Sequence, residues 1–147
     1  MDTGEYLTGA CPIGRGVALV GDAWSMLILR DAGSGRTRFD QFRKNLGVAP
    51  NILAGRLKAL TEAGLLEKRS YCERPPRDEY LITEAGRDFL PVLHALGAWA
   101  SRHHGSGALS YAVDRETGAV VEPVVIDRAT GRAIGSLALR IVTPGGA

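Results

Sequence analysis

The stretch that decides the fold begins Arg36-Thr37-Arg38-Phe39-Asp40-Gln41-Phe42 and continues Val48-Ala49-Pro50-Asn51-Ile52-Leu53, then Arg56-Leu57, Leu60 and Gly64-Leu65-Leu66. It closes with Arg74-Pro75-Pro76-Arg77-Asp78-Glu79-Tyr80-Leu81-Ile82-Thr83. Phe39 and Phe42 mark one face of a short helix over about 38–45. Leu46-Gly47-Val48 is a turn in which Gly47 is free to take positive φ. A second helix starts at Pro50, a favoured first helical position, and stops at Gly64, a favoured C-terminal residue. Leu65–Tyr71 and Asp78–Thr83 then read as two antiparallel strands. Their connection, Cys72 to Arg77, is stiffened by two prolines that fix φ and remove donors.

Within the second helix, 100° per residue places Leu53, Leu57 and Leu60 on one face and Asn51, Gly55, Lys58 and Glu62 on the opposite one. The apolar face packs on the domain. The polar face carries a mid-helix glycine that costs about 1 kcal/mol relative to alanine, which suits close approach to another surface.

Charge is concentrated in this same stretch. The whole chain is only +2, yet residues 36–77 hold ten Lys/Arg and four Asp/Glu, a local +6. Residues 1–35 and 78–104 each sum to −2, and residues 105–147 to zero. A positive field on a two-helix-and-ribbon pattern points to double-stranded DNA. Asn51 can read an adenine edge through its amide. Lys58 reaches bases or phosphates, and Pro50 opens the reading helix. Arg36, Arg38, Lys44 and Arg56 are phosphate candidates, Arg56 on the flank of the buried face being placed to bond either a phosphate or a neighbouring helix, and Arg74 and Arg77 belong to the ribbon tip, which suits the minor groove or backbone.

Working outward, residues 12–20 form a weak first helix. Asp22 caps a second over Ala23–Ala32, with Trp24, Leu27 and Ile28 at helical spacing. Thr83 caps a long helix over Glu84–His104. Phe89, Leu93, Leu96 and Ala100 line one stripe there, and Val92 and Trp99 widen it beyond what a single-sided surface helix carries. The surplus predicts a homodimer, with Trp24, Phe89, Leu93, Leu96 and Trp99 as candidates for the dimer contact or for a cavity holding a small-molecule effector. After Gly105-Ser106-Gly107 the pattern alternates. Asp114-Arg115-Glu116-Thr117-Gly118 and Asp127-Arg128-Ala129-Thr130-Gly131, 13 residues apart, predict a small β appendage of three to four short strands with a repeated hairpin turn.

Composition excludes several classes. Two cysteines, Cys11 and Cys72, cannot build a disulfide framework, and no Cys-x-x-Cys occurs. Adjacent His103 and His104 make a poor metal pair, so neither metal nor cofactor is expected. No run reaches the 18 or so apolar residues of a membrane span, and the N-terminus has no secretory apolar core; a cytoplasmic protein is expected. The potential acid–base residues are scattered, which argues against an enzyme.

These residues together resemble the HxlR-type winged-helix transcription regulators of bacteria. The resemblance covers about residues 11–104 and rests on Cys11-Pro12, Gly21-Asp22-Ala23-Trp24, Ile28-Leu29-Arg30, Arg38-Phe39, Phe42, Pro50-Asn51-Ile52-Leu53, Arg56-Leu57, Leu60, Gly64-Leu65, Pro75-Pro76, Glu79-Tyr80-Leu81-Ile82-Thr83 and Gly86. It implies a mainly α fold with a small β part. Residues 8–104 would form a winged helix-turn-helix DNA-binding and dimerisation domain, and residues 108–147 a β-rich C-terminal appendage. It also implies a homodimer that sets two reading helices in successive major grooves of a palindromic operator, about 34 Å apart, and represses or activates transcription, with repression the leading expectation. Cys11 stands where some members carry a redox- or electrophile-sensing thiol; the other reading is a small buried apolar residue. Ala49 departs from the family pattern, since a Ser or Thr cap is usual there. The appendage lacks the cysteine pairs that suggest a zinc ribbon in some relatives. The alternative function for the whole chain is a winged-helix module for protein contacts without DNA binding.

Overall fold

The computed structural model describes residues 4–145. In chain order it holds a 3-10 turn at Gly4–Leu7, then helices α1 (Pro12–Val20), α2 (Ala23–Gly33), α3 (Phe39–Leu46) and α4 (Pro50–Glu62). Strands β1 (Leu66–Glu73) and β2 (Pro76–Ile82) follow, then helix α5 (Glu84–His104) and a 3-10 turn at Ile134–Ser136. By packing, the described residues divide into two units: 4–90 with 143–145, and Pro91–Val142.

The first unit has a small, well-closed core. Ile28 and Leu29 of α2, Phe42 of α3, Leu53, Leu57 and Leu60 of α4, and Leu66 of β1 are buried. Those on the helices are spaced to fall on the inward faces of a 3.6-residue repeat, and Leu66 is the inward residue at the start of its strand. Burial of side chains this size stabilises by roughly 1.5–3 kcal/mol each, which is what holds three short helices together.

Helix ends are set by identifiable groups. Asp22 Oδ1 accepts from the Ser25 backbone N–H at 2.9 Å and starts α2. The Gln41 side-chain oxygen accepts from the backbone N–H groups of Thr37 and Arg38, at 2.9 and 3.0 Å, and starts α3. Gly47 ends α3 with φ 63°, the left-handed conformation its position requires. α4 begins at Ala49–Pro50 with no side-chain cap. Thr83 Oγ1 accepts from the Gly86 N–H at 3.1 Å and donates to the Gly64 carbonyl at 2.6 Å, tying the start of α5 to the end of α4. Gly86 is buried, and a Cβ there would strike the Leu65 carbonyl.

The two strands pair antiparallel, with Leu66 opposite Ile82 and Lys68 opposite Tyr80. They run further than the sequence pattern suggests. Glu73 pairs with Pro76 and Cys72 with Arg77, so the tip contracts to Arg74-Pro75. Pro76 can sit in the ladder because it opens an edge strand, where its missing N–H deprives no partner. An irregularity between Ser70 and Cys72 takes up one residue. A third rung comes from the segment before α3: the Tyr80 N–H donates to the Thr37 carbonyl at 2.7 Å, and Arg38 bridges Glu79.

In the second unit the expected three to four strands do not form. Among the described residues there are two single bridges, Val113 with Val120 and Ile126 with Ala133, each closing one turn. The two turns share one construction. Asp114 Oδ1 accepts from the N–H groups of Glu116 and Thr117 at 2.8 and 2.9 Å, and Gly118 closes the turn at φ 71°. The carboxylate of Asp127 accepts from Ala129, Thr130 and the Thr130 hydroxyl, and Gly131 closes at φ 68°. The repeated sequence signal was therefore a turn signal; the flanking extended chain has too few partners to build ladders. No side chain between Pro91 and Val142 is buried, although Val120, Val124, Ile126, Ile141 and Val142 lie in this segment. No single helix among the described residues is long and apolar enough to cross a membrane.

Candidate nucleic-acid interface

α4 buries Leu53, Leu57 and Leu60 and turns Asn51, Ala54, Gly55, Lys58 and Glu62 outward. Nothing lies within 4 Å of where a Cβ on Gly55 would stand. The outward face is therefore low in its middle, with Asn51 toward one end and Lys58 toward the other. Pro50 sits exposed at the first helical position.

The cations around α4 fall into two groups. Some are already held. Arg36 donates to Asn45 Oδ1 at 3.2 Å and lies 3.9 Å from Asp31 Oδ1. Arg56 pairs with Asp22 at 3.4 Å, linking α4 to the start of α2. Lys58 pairs with Glu62 at 3.8 Å across one helical turn, with both side chains more than two-thirds exposed or nearly so. An exposed pair of this kind contributes little and exchanges readily for a stronger anion. Arg38 stacks its guanidinium 4.5 Å from the centre of the Tyr71 ring. The second group, Lys44 on α3 and Arg74 and Arg77 on the ribbon, is exposed, and among the described residues none of the three has an ion-pair partner. An unpaired exposed cation needs no broken contact to meet a phosphate.

Asp31 was not among the sequence candidates. It is 1% exposed, and it accepts from Arg30 through two nitrogens at 3.0 and 2.8 Å and from Asn45 Nδ2 at 2.7 Å. With Arg36 alongside, this carboxylate ties the end of α2 to the end of α3. A buried carboxylate without partners would cost several kcal/mol, so the network is a requirement of the fold. An acid directly after Arg30 near the end of a mainly apolar helix was the available signal. Tyr71, the platform for Arg38, was hidden as an ordinary strand residue.

On the ribbon, Lys68 pairs with Asp78 across the strands at 3.3 Å. That carboxylate, with Tyr80 nearby, holds the Lys68 ammonium above its ordinary pKa. Elsewhere, Cys11 is exposed and is the N-cap of α1: its Sγ accepts from the Gly14 N–H at 3.3 Å. Of the dimer and effector candidates, Val92's neighbours Leu96 and Trp99 are exposed, while Trp24, Phe89 and Leu93 are half-buried. No group of three or more His, Cys, Asp or Glu among the described residues could hold a metal ion.

Three helices, the third carrying a low polar outward face, and a flanking two-stranded ribbon define a winged helix-turn-helix protein. Residues 19–107 match the HxlR-like helix-turn-helix family, and the chain belongs to that family. It is similar to the uncharacterised helix-turn-helix transcriptional regulator Rv3095 of Mycobacterium tuberculosis, with 42% identity over 91 residues, 62% of this chain and 58% of that protein. The match thus spans well under two-thirds of the relative's length. Among solved structures, PA1607, described as a candidate transcription factor, superposes with a TM-score of 0.85 at 34% identity, over 94% of this chain and 98% of that one. PA1374 of Pseudomonas aeruginosa, described likewise, gives 0.65 at 41% identity over 93% and 95%.

Proposed function

We propose that the chain is a homodimeric, sequence-specific DNA-binding repressor of the cytoplasm that acts by binding rather than catalysis. The observation that carries this reading is the outward face of α4, low at Gly55, on a domain whose cations Lys44, Arg74 and Arg77 are exposed and, among the described residues, without ion-pair partners. α4 enters a major groove with Asn51 toward the base edges, Lys44 meets the backbone, and the ribbon tip meets the backbone or minor groove beside it. Residues 8–104 serve as the DNA-binding and dimerisation domain, and 108–147 as an accessory appendage.

Dimerisation is supported by an exposed apolar stripe on α5, where Val92, Leu96 and Trp99 are 54%, 46% and 49% exposed. At 100° per residue the three fall within a narrow arc, and an exposed contiguous apolar stripe marks a protein contact. Two copies would set two α4 helices on half-sites one helical turn apart. The similarity to Rv3095, a helix-turn-helix transcriptional regulator, and to PA1607, a candidate transcription factor, supports the same reading.

The test is a gel-shift titration of the purified chain against DNA from upstream of its own gene, alongside sedimentation to fix the oligomeric state. Retarded complexes at low salt and a dimer at micromolar concentration are expected. A monomer indifferent to that DNA would favour a module for protein contacts.

Control through Cys11 is a second element of the reading, favoured by the exposed thiol at the start of α1. Diamide would join the Cys11 thiol to a second thiol, that of another copy or of glutathione, as a disulfide while itself being reduced to the hydrazine, and the attached group would disturb the helix start at the Gly14 N–H. A Cys11→Ser variant whose DNA affinity no longer responds to diamide is the expected outcome; an unchanged response would remove Cys11 from the account.

A further inference from the structure

The unit Pro91–Val142 contains a cleft of about 470 Å³ that none of the DNA-facing residues line. Its size is that of a site for a small organic molecule. One wall is α5. His94, Gly97 and Ser101 on that wall point away from Val92, Leu96 and Trp99, because 100° per residue puts the two sets on opposite sides of the helix. The cleft therefore does not compete with the stripe assigned to the dimer. The other wall comes from Tyr111 and the stretch Val121–Pro123.

Arg102, His94, Tyr111 and Glu122 all line the cleft, and among the described residues none of these four side chains has a hydrogen-bond or ion-pair partner within the protein. Every ion pair of the described chain lies between Asp22 and Asp78. Polar groups with unspent hydrogen-bonding capacity, Glu122 the carboxylate and Arg102 the guanidinium among them, thus line a space whose apolar lining includes Leu93, Val121 and Pro123. The floor at Gly97 is open, since a Cβ there would meet nothing within 4 Å.

We propose that this cleft binds a small aromatic carboxylate bearing a hydroxyl group. The Arg102 guanidinium takes the carboxylate through paired charge-assisted hydrogen bonds. Glu122 accepts from the hydroxyl, and the ring lies against Leu93, Val121 and Pro123. A phosphate fits less well, because one guanidinium stands against the Glu122 carboxylate in the same cleft. One imidazole and one carboxylate are too few to hold a metal. The inference rests on the DNA-binding reading only for its consequence, a shift in operator affinity on occupancy. The site itself is tested on the protein without DNA.

The experiment is calorimetric titration of the full chain with 4-hydroxyphenylacetate, phenylacetate and 2-phenylethanol. Saturable binding of the first, weaker binding of the second and none of the uncharged third are expected. Arg102→Met should weaken 4-hydroxyphenylacetate at least about tenfold, the worth of one charge-assisted contact. Glu122→Gln should narrow the difference between the two acids. Gly97→Leu should abolish binding without lowering the melting temperature, because the added side chain enters open space. No saturable binding by either acid up to millimolar concentration overturns the proposal, as does equal affinity in Arg102→Met. Gel shifts with and without 4-hydroxyphenylacetate then read the consequence separately: bound acid with unmoved DNA affinity leaves the site standing and removes its regulatory role.

Discussion

The guanidinium of Arg38 lies 4.5 Å from the centre of the Tyr71 ring, joining the segment that opens α3 to the first strand of the wing. The same segment adds a rung to β2 through Thr37 and Tyr80. The wing is therefore held by the helix-turn-helix along its length, from Tyr80 on one strand out to Tyr71 on the other. Arg38 and Tyr71 should show a coupling of about 0.5–1 kcal/mol, the range for an exposed cation–π contact. A double-mutant cycle with Arg38→Ala and Tyr71→Leu in urea measures it. Additive single effects would mean that Arg38 serves DNA contact alone.

Salt dependence separates the free cations from the held ones. Each phosphate contact adds about 0.9 to the slope of log affinity against log salt. The Arg74→Ala, Arg77→Ala double variant should lower that slope by up to about 1.8 while leaving the melting temperature nearly unchanged. Arg56→Ala should cost some stability through its lost Asp22 pair. Gel shifts at several salt concentrations decide; an unchanged slope in the double variant removes the wing from the interface.

Gly55 sets stability against recognition. Gly55→Ala should stabilise the fold by up to about 1 kcal/mol, since helix propensity improves and the new Cβ meets nothing. Gly55→Glu should keep the fold and abolish DNA binding, through bulk and charge at the face nearest the groove. Calorimetry and gel shifts read the two effects. DNA binding retained by Gly55→Glu would mean that another face of α4 meets the duplex.

Asp31 is structural in a way its neighbours are not. Asp31→Asn keeps the size but weakens charge-assisted bonds to Arg30 and sets two amides against each other at Asn45. A loss of about 2–3 kcal/mol is expected, the scale of hydrogen bonds to a charged group. Denaturant unfolding checks it, and a change under 0.5 kcal/mol would place the tie between α2 and α3 elsewhere.

The paired turns of the appendage give a pH signature. Asp114 is held below the ordinary carboxylate value of 3.8 by the N–H groups of Thr117 and Glu116. Asp127 is held below it chiefly by the Thr130 hydroxyl, then by the N–H groups of Ala129 and Thr130. A depressed folded-state pKa means the turns are fully supported above pH 3.8 and loosen as pH falls through the lower folded value. Carboxyl carbon NMR titration should give midpoints below 3.8 for both; midpoints at or above it would show the turns unformed in solution.

The first unit was legible because periodicity and punctuation agree there. Leu53, Leu57 and Leu60 announced the buried face of α4, Pro50 its start, and Gly47 the left-handed turn before it. The wing was legible in kind but not in extent, because Pro75 and Pro76 signalled a loop where Pro76 in fact begins a strand. The partners of the cations were not legible. Arg36 and Lys44 look alike in sequence, and only the packing of α2 on α3 brings Asn45 and Asp31 to the first. The appendage misled because alternation of apolar residues predicts strands only where a neighbouring strand exists to take up the backbone groups. The cleft of the second unit is lined through the return of residues 121–123 toward α5, a long-range pairing no local pattern records.

α4 opens on Ala49 and Pro50 with no side chain to satisfy its leading amides. Off DNA those amides are left to water; on DNA a backbone oxygen of the duplex can take them, as anions do at helix starts. The nucleic acid would then finish the folding of the element that reads it. The first turn of α4 should exchange its amide hydrogens quickly in the free protein and slowly in the complex. A Ser at position 49 would tighten the unbound helix and, by occupying those amides beforehand, dull the gain on binding.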